Sequence, residues 1–193
     1  MTERRLSQAI AEGDGISVIA AVDGPDAARA AEASGAEAIL LAGGARAGLA
    51  AIRAATELPI LVFLNDDSAD ALAGADACIV DVRDDDRERL ERVRTEVAGR
   101  FELAPRICTD DDLAFVLEEL DPEILVLGAD DGEEPLAAAL ELLPDVPAGK
   151  LAIADVGARS RDEVDELERA GVDAVIVAAG EIAHLVGAAP PEV

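Results

Sequence analysis

Aromatic residues are nearly missing from this chain: it has no tryptophan, no tyrosine and three phenylalanines in 193 residues. A pocket that stacks an indole or a nucleobase therefore has no platform except Phe63, which ends an apolar run. Basic side chains are thin as well. Lysine occurs once, as Lys150, and histidine once, as His184, while 42 acidic residues against 16 basic ones give a formal net charge of -26. Such a surface repels nucleic-acid phosphates and anionic membranes, so neither nucleic acid nor membrane is an expected partner. No apolar run approaches the roughly 20 residues of a membrane span, and MTERRLSQAIAEGDG has no apolar core of a secretory signal. The expectation is a soluble, cytoplasmic protein. Cys78 and Cys108 form no CxxC pair and have one histidine for company, which argues against a disulfide framework or a zinc site. Cys78 reads as core, and Cys108, near a strand end, as core or as a reactive thiol. His184, in EIAHLVGAA, reads as a helix-surface or C-terminal capping residue.

What the chain has in abundance is aliphatic side chain: 51% of it is hydrophobic, enough for one core and short for two domains. Short apolar runs at 16–22, 36–42, 59–64, 76–82, 103–108, 123–129, 150–156 and 173–179 read as strands. They are nearly continuous in Val, Ile, Leu and Ala, the pattern of parallel strands covered on both faces. Helices are expected to begin near Pro25, Arg46, Ser68, Asp85, Thr109, Glu134, Ser160 and Glu181. Ser160 with Glu163 and Thr109 with Asp112 have capping-box spacing, Pro25 suits a first helical turn, and Gly171 stands where a helix ends.

A phrase recurs within this alternation. SGAEAILLAGG, AGADACIVDVR and AGVDAVIVAAG are variants of it, and LDPEILVLGAD is a worn copy. Its reference residues Gly35, Gly74, Asp121 and Gly171 stand 39, 47 and 50 residues apart, near two strand-helix units each. The fold expected is α/β, a compact single-domain (β/α)8 TIM barrel with short loops, in which 1–15 lead in, 16–187 form the barrel and 188–193 fray. An open doubly wound sheet is the alternative.

Barrels place function at the C-terminal ends of their strands. Those ends read Asp23, Gly43 and Gly44, Asn65 and Asp66, Asp81 and Arg83, Arg106 and Cys108, Asp130 and Asp131, Asp155, and Ala178 to Gly180. Asp66, Asp67, Asp85 and Asp110 to Asp112 suit the first turns of helices. Asp23, Asp81 and Asp155 end strands instead, and as oxygen ligands they are the candidates for Mg²⁺ or Ca²⁺, against the reading of solvated loop carboxylates. No resident metal or other cofactor is expected. Gly157, Ala178, Ala179 and Gly180 put small residues beside helix N-termini after the last two strands, where barrels often hold phosphate, with Arg159 or Arg161 to add charge. Tight turns in a trimmed barrel explain the same residues.

ELPILVFL, AGADACIVDV and above all GARSRDEVDELERAGVDAVIVA resemble indole-3-glycerol-phosphate synthase, the barrel that closes the indole ring in tryptophan biosynthesis. The likeness spans most of 16–186 and is strongest in the last third. It implies a glutamate and a lysine in the first strand, where this chain has Ala21 and Asp23, and a general-acid lysine in the third, where Phe63 stands nearest. The family's strand-five glutamate matches Arg106, and its Asn-Asn-Arg of strand six matches Gly128, Ala129 and Asp130. Of the Glu-Ser-Gly of strand seven, Asp155 keeps a carboxylate and Gly157 the glycine. The phosphate-binding Gly-Glu-Ser of strand eight corresponds to Ala178, Ala179 and Gly180. The family's reaction needs an acid and a base within hydrogen-bond reach of the substrate, and arginine, always protonated, is a poor acid.

Three expectations follow from these departures. One is a catalytically degenerate barrel that binds a small phosphorylated ligand at the ends of strands seven and eight. Another is an active carbon-carbon lyase with Asp23, Arg106 and Asp155 in altered roles. The last is a scaffold, reduced, reconstructed or designed, that keeps the fold alone. The acidity suits a salt-adapted surface, and the oligomeric expectation is a monomer or weak homo-oligomer.

Overall fold

The eight apolar runs become the staves of a closed barrel. A computed structural model of the chain describes residues 4–42, 48–64, 69–82, 87–130 and 132–185. Its strands are β1 (Ser17–Val22), β2 (Ala38–Leu41), β3 (Ile60–Phe63), β4 (Ala77–Asp81), β5 (Glu102–Ile107), β6 (Ile124–Leu127), β7 (Leu151–Ala154) and β8 (Ala174–Ala178). They pair in chain order, all parallel, and Ser17 to Ala21 lie in register with Ala174 to Ala178. That β1–β8 ladder closes the sheet and excludes the open doubly wound alternative. Seven of the strands are a residue or more shorter than their apolar runs, and β5 keeps its length but begins one residue earlier, at Glu102.

Both faces of each strand are buried, which is why polar residues do not alternate with apolar ones. In β1, Ile19 and Ala21 join the barrel interior with Leu40, Leu61, Ile79, Val126 and Ile153. Val18, Ala20 and Val22 turn outward and pack in the shell beneath the helices. Cys78 lies in that shell, and burial pushes its thiol up to about 12.

The helices are α1 (Arg5–Ala11), α2 (Pro25–Ala33), α3 (Leu49–Arg53), α4 (Arg87–Val97), α5 (Asp110–Glu119), α6 (Pro135–Leu142), α7 (Arg161–Ala170) and α8 (Ile182–Leu185). Both capping boxes form, Thr109 with Asp112 and Ser160 with Glu163, and α7 ends on Gly171 at φ 100°. The helix expected from Ser68 is a correction: a 3-10 turn over Ala69–Leu72 takes its place, because the chain must turn at Gly74 to begin β4. Among the described residues no helix is long and apolar enough to cross a membrane.

Helix α1 lies in what the sequence suggests is only a leading segment. Its Leu6 and Ile10, one turn apart, enter the interior cluster and close the N-terminal end of the barrel. Glu102, at the start of β5, accepts the amides of Leu6 at 2.7 Å and Ser7 at 3.1 Å, satisfying a helix start from across the barrel.

The recurring phrase has a structural meaning at this same end. Gly35, Gly74 and Gly171 have φ of 92°, 104° and 100°, and in the worn copy Asp121 adopts the left-handed region at 44°. Two residues on, an acid makes a two-way bridge to the preceding strand. Glu37 donates its amide to Val18 O at 3.0 Å and accepts the Val18 amide on its carboxylate at 3.2 Å. Asp76 does both with Ile60, at 2.9 Å each, and Asp173 with Ala152, at 3.0 and 2.8 Å. The fourth copy departs: Glu123 turns its carboxylate to Arg4, at 3.1 Å.

Candidate functional site

At the C-terminal mouth one arginine organises the described side chains. Arg106, near the end of β5, follows the inward-facing Ala104 by two residues and so points along the interior toward the mouth. Its Nε donates to Asp155 Oδ2 at 3.1 Å, and its Nη1 reaches Asp81 Oδ1 at 3.5 Å and Cys108 Sγ at 3.3 Å. Gly128, at the end of β6, gives it room: a Cβ there would fall 2.5 Å from Nη2 and 2.6 Å from Cζ.

Burial works against the Arg106 charge, but the Cys108 sulfur, Asp155 and Asp81 outweigh it and hold the guanidinium above its ordinary value. It cannot serve as a proton donor. Burial also raises the Cys108 thiol; Arg106 opposes that rise, while Asp130, Asp112 and Asp81 add to it. A thiol held protonated is a weak nucleophile, so the reactive reading of Cys108 gains no support.

Of Asp23, Arg106 and Asp155, the structure brings the last two together and leaves Asp23 exposed at the end of β1, with no hydrogen bond or ion pair among the described residues. Asp23, Asp81 and Asp155 do not converge as cation ligands: among the described residues no three His, Cys, Asp or Glu side chains are placed to hold a metal ion. The physical reason is Arg106, a cation already standing between Asp81 and Asp155. Lys150 is at the opposite end, bonded to Asp121 at 2.6 Å and to Pro122 O at 2.7 Å, so it supplies no acid to the mouth. Gly43, Gly44, Asn65, Asp66, Asp67, Arg83, Asp85 and Asp131 lie outside the described residues, as does Arg46.

The ends of β7 and β8 are best judged by where their amides go. Ala179 donates to Ala21 O at 3.2 Å, and Glu181 to Ala178 O at 2.9 Å. The amides of Arg159 and Ser160, at the start of α7, both donate to Glu163, at 2.7 and 2.9 Å. The Glu163 carboxyl is held below its ordinary range by those amides, Arg159 first. A carboxylate of the chain thus occupies the helix N-terminus that a bound anion would use. Gly157, Ala158 and Gly180 keep amides that are committed to no partner among the described residues. Gly157 has φ 62°, and the space beside both glycines is open.

The phrases that carry the family resemblance named these residue positions, but the bridge from Asp155 through Arg106 to Asp81, and the part of Gly128 in it, were not expected. A glycine at 128, matched to an asparagine of the family that the sequence resembles, was the available signal.

No protein-family model and no curated protein sequence matches the chain. Solved structures do. The crystal structure of (S)-3-O-geranylgeranylglyceryl phosphate synthase from Thermoplasma acidophilum, in complex with its substrate sn-glycerol-1-phosphate, superposes with a TM-score of 0.67 at 13% identity, covering 96% of each chain. FabK from Thermotoga maritima gives 0.67 at 14%, covering 92% of this chain and 62% of FabK. Likeness at such identity shows the TIM-barrel fold.

Proposed function

We propose that this chain is a catalytically degenerate, minimal barrel of the indole-3-glycerol-phosphate synthase kind, and that it binds a small phosphorylated ligand at the ends of β7 and β8. The observation that carries the reading is the open pair of glycines, Gly157 and Gly180, whose amides and that of Ala158 are uncommitted among the described residues. The successive amides of Gly157 and Ala158, with Gly157 in the left-handed region, are the kind of backbone pair that takes a phosphate oxygen, and Gly180 follows the neighbouring strand β8. The glycerol phosphate bound in the Thermoplasma barrel makes that ester the natural probe. Asp155 lies two residues before Gly157, so the ligand must tolerate a nearby carboxylate, and Arg159 is the cation at hand.

Loss of the lyase chemistry rests on the mouth. The family's acid and base positions hold Phe63, Arg106 and Asp155, and Arg106 binds Asp155 instead of leaving it free to move protons. Turnover of carboxyphenylamino-deoxyribulose phosphate is expected to be undetectable; measurable turnover lost in Asp155→Ala would favour the lyase reading.

The binding test is a thermal-shift titration at fixed ionic strength with inorganic phosphate, sn-glycerol-1-phosphate and indole-3-glycerol phosphate. A ligand at a hundredfold excess over Kd stabilises by about 2.7 kcal/mol, which is readily seen. Gly180→Asp, at a position with room for a side chain, should abolish the shift. A shift no larger than that of matched sodium chloride overturns the phosphate site and leaves the scaffold reading.

A further inference from the structure

The barrel is unevenly zipped between β5 and β6. β4 and β5 stay in register from Ala77 opposite Glu102 to Asp81 opposite Arg106, whereas β5 and β6 are in register only at Arg106 opposite Val126 and Ile107 opposite Leu127. The hydrogen-bond directions give the reason. Glu102 donates to Asp76 O and Arg106 O accepts from Val82, so the even positions of β5 turn toward β4; Ile107 O accepts from Gly128, so the odd positions turn toward β6. Pro105 is an odd position and has no N–H to give. The lower half of this seam behaves as a sheet edge inside a closed barrel.

A cavity of about 440 Å³ opens there, between the end of α4 and the loop that follows α5. That volume falls within the range of small-molecule sites. Its walls are Val97, Phe101, Leu103, Leu120 and Ile124, and Leu103 and Leu120 remain only partly buried. Most of the charges nearby are committed. Both oxygens of Glu102 hold α1 amides, and Glu123 is paired with Arg4. Arg94 is different: it donates one bond, to Glu119 O at 3.0 Å, and forms no ion pair among the described residues. An apolar hollow with one uncompensated guanidinium at its rim matches a molecule with a hydrocarbon body and a carboxylate head. In a chain of net charge -26, an anion needs such a local cation to overcome the general repulsion.

We infer that the β5–β6 seam binds a small amphipathic carboxylate, with its hydrocarbon between Leu103 and Leu120 and its head on Arg94. This site lies at the opposite end of the barrel from Gly157 and Gly180 and is independent of the phosphate reading.

The test titrates the full chain with octanoate, and separately with 1-octanol, followed by amide and methyl NMR at constant ionic strength. Octanoate should give saturable shifts centred on Val97, Leu103, Leu120 and Ile124. Arg94→Gln, a surface change that leaves the core alone, should weaken octanoate by roughly tenfold or more and leave 1-octanol unaffected. Ala98→Trp, which fills the hollow from the residue after α4, should abolish binding of both. Non-saturating or scattered shifts overturn the site. Equal affinity of the parent for octanoate and octanol, or an Arg94→Gln variant that binds octanoate as well as the parent, overturns the anionic head.

Discussion

Arg106 and Gly128 are a matched pair: the guanidinium bridging Asp155 and Asp81 lies where the side chain of any other residue at 128 would begin, with Cζ 2.6 Å from a would-be Cβ. Gly128→Ala must push Arg106 off at least one carboxylate. The expected loss is about 1–2 kcal/mol in denaturant unfolding, the scale of half-buried charged hydrogen bonds. In an Arg106→Ala background the same change should cost almost nothing, and additive effects in that cycle would contradict the pairing.

The three bridging acids of the repeated phrase are not equal. Glu37 and Asp173 each hold one backbone amide, whereas Asp76 holds the Ile60 amide and two arginines, Arg5 at 2.9 Å and Arg53 at 3.0 Å. Glu37→Ala and Asp173→Ala should each cost about 1 kcal/mol, and Asp76→Ala about 3 kcal/mol, since it strands a buried amide and two partly buried cations. Equal losses at all three positions would mean that the amide bridge alone matters.

Asp121 carries the left-handed turn that glycine carries in the other copies of the phrase. An L side chain in that region costs on the order of 1 kcal/mol, and the exposed Asp121 bond to Lys150 returns little. Asp121→Gly should therefore match or slightly exceed the parent in melting temperature, while Asp121→Ala, which keeps the strain without the polar side chain, should melt lower.

Acid should loosen the start of α7. The amides of Arg159 and Ser160 keep the Glu163 carboxyl below its ordinary value, so its contribution is fully present above the ordinary glutamate pKa of about 4.3 and is lost as pH falls through the lower folded value. The Arg159 and Ser160 amide shifts should titrate with a midpoint under 4.3, and Glu163→Gln should remove that transition. A midpoint at or above the free-glutamate value would contradict the cap.

The strands, the two capping boxes, the turn at Gly171 and the barrel itself were legible in the sequence because each rests on local periodicity or on a spacing of three or four residues. The two-unit phrase was legible too, with Asp121 as its fourth reference residue, but the left-handed backbone that Asp121 shares with Gly35, Gly74 and Gly171 was not. The place of the single lysine was legible: Lys150 stands at the start of a strand, at the end of the barrel away from the mouth. Tertiary structure decided the rest. Leu6 and Ile10 are an unremarkable pair until a barrel floor exists to receive them, and Glu102 caps their helix from a strand far along the chain. Asp23, Asp81, Arg106 and Asp155 were each visible as strand ends, but whether Asp81 and Asp155 join Asp23 around a metal ion or take Arg106 between them depends on the stagger of strands around the barrel. Closure brings β4, β5 and β7 to one mouth with Arg106 between two acids, and the cation these acids hold is part of the chain.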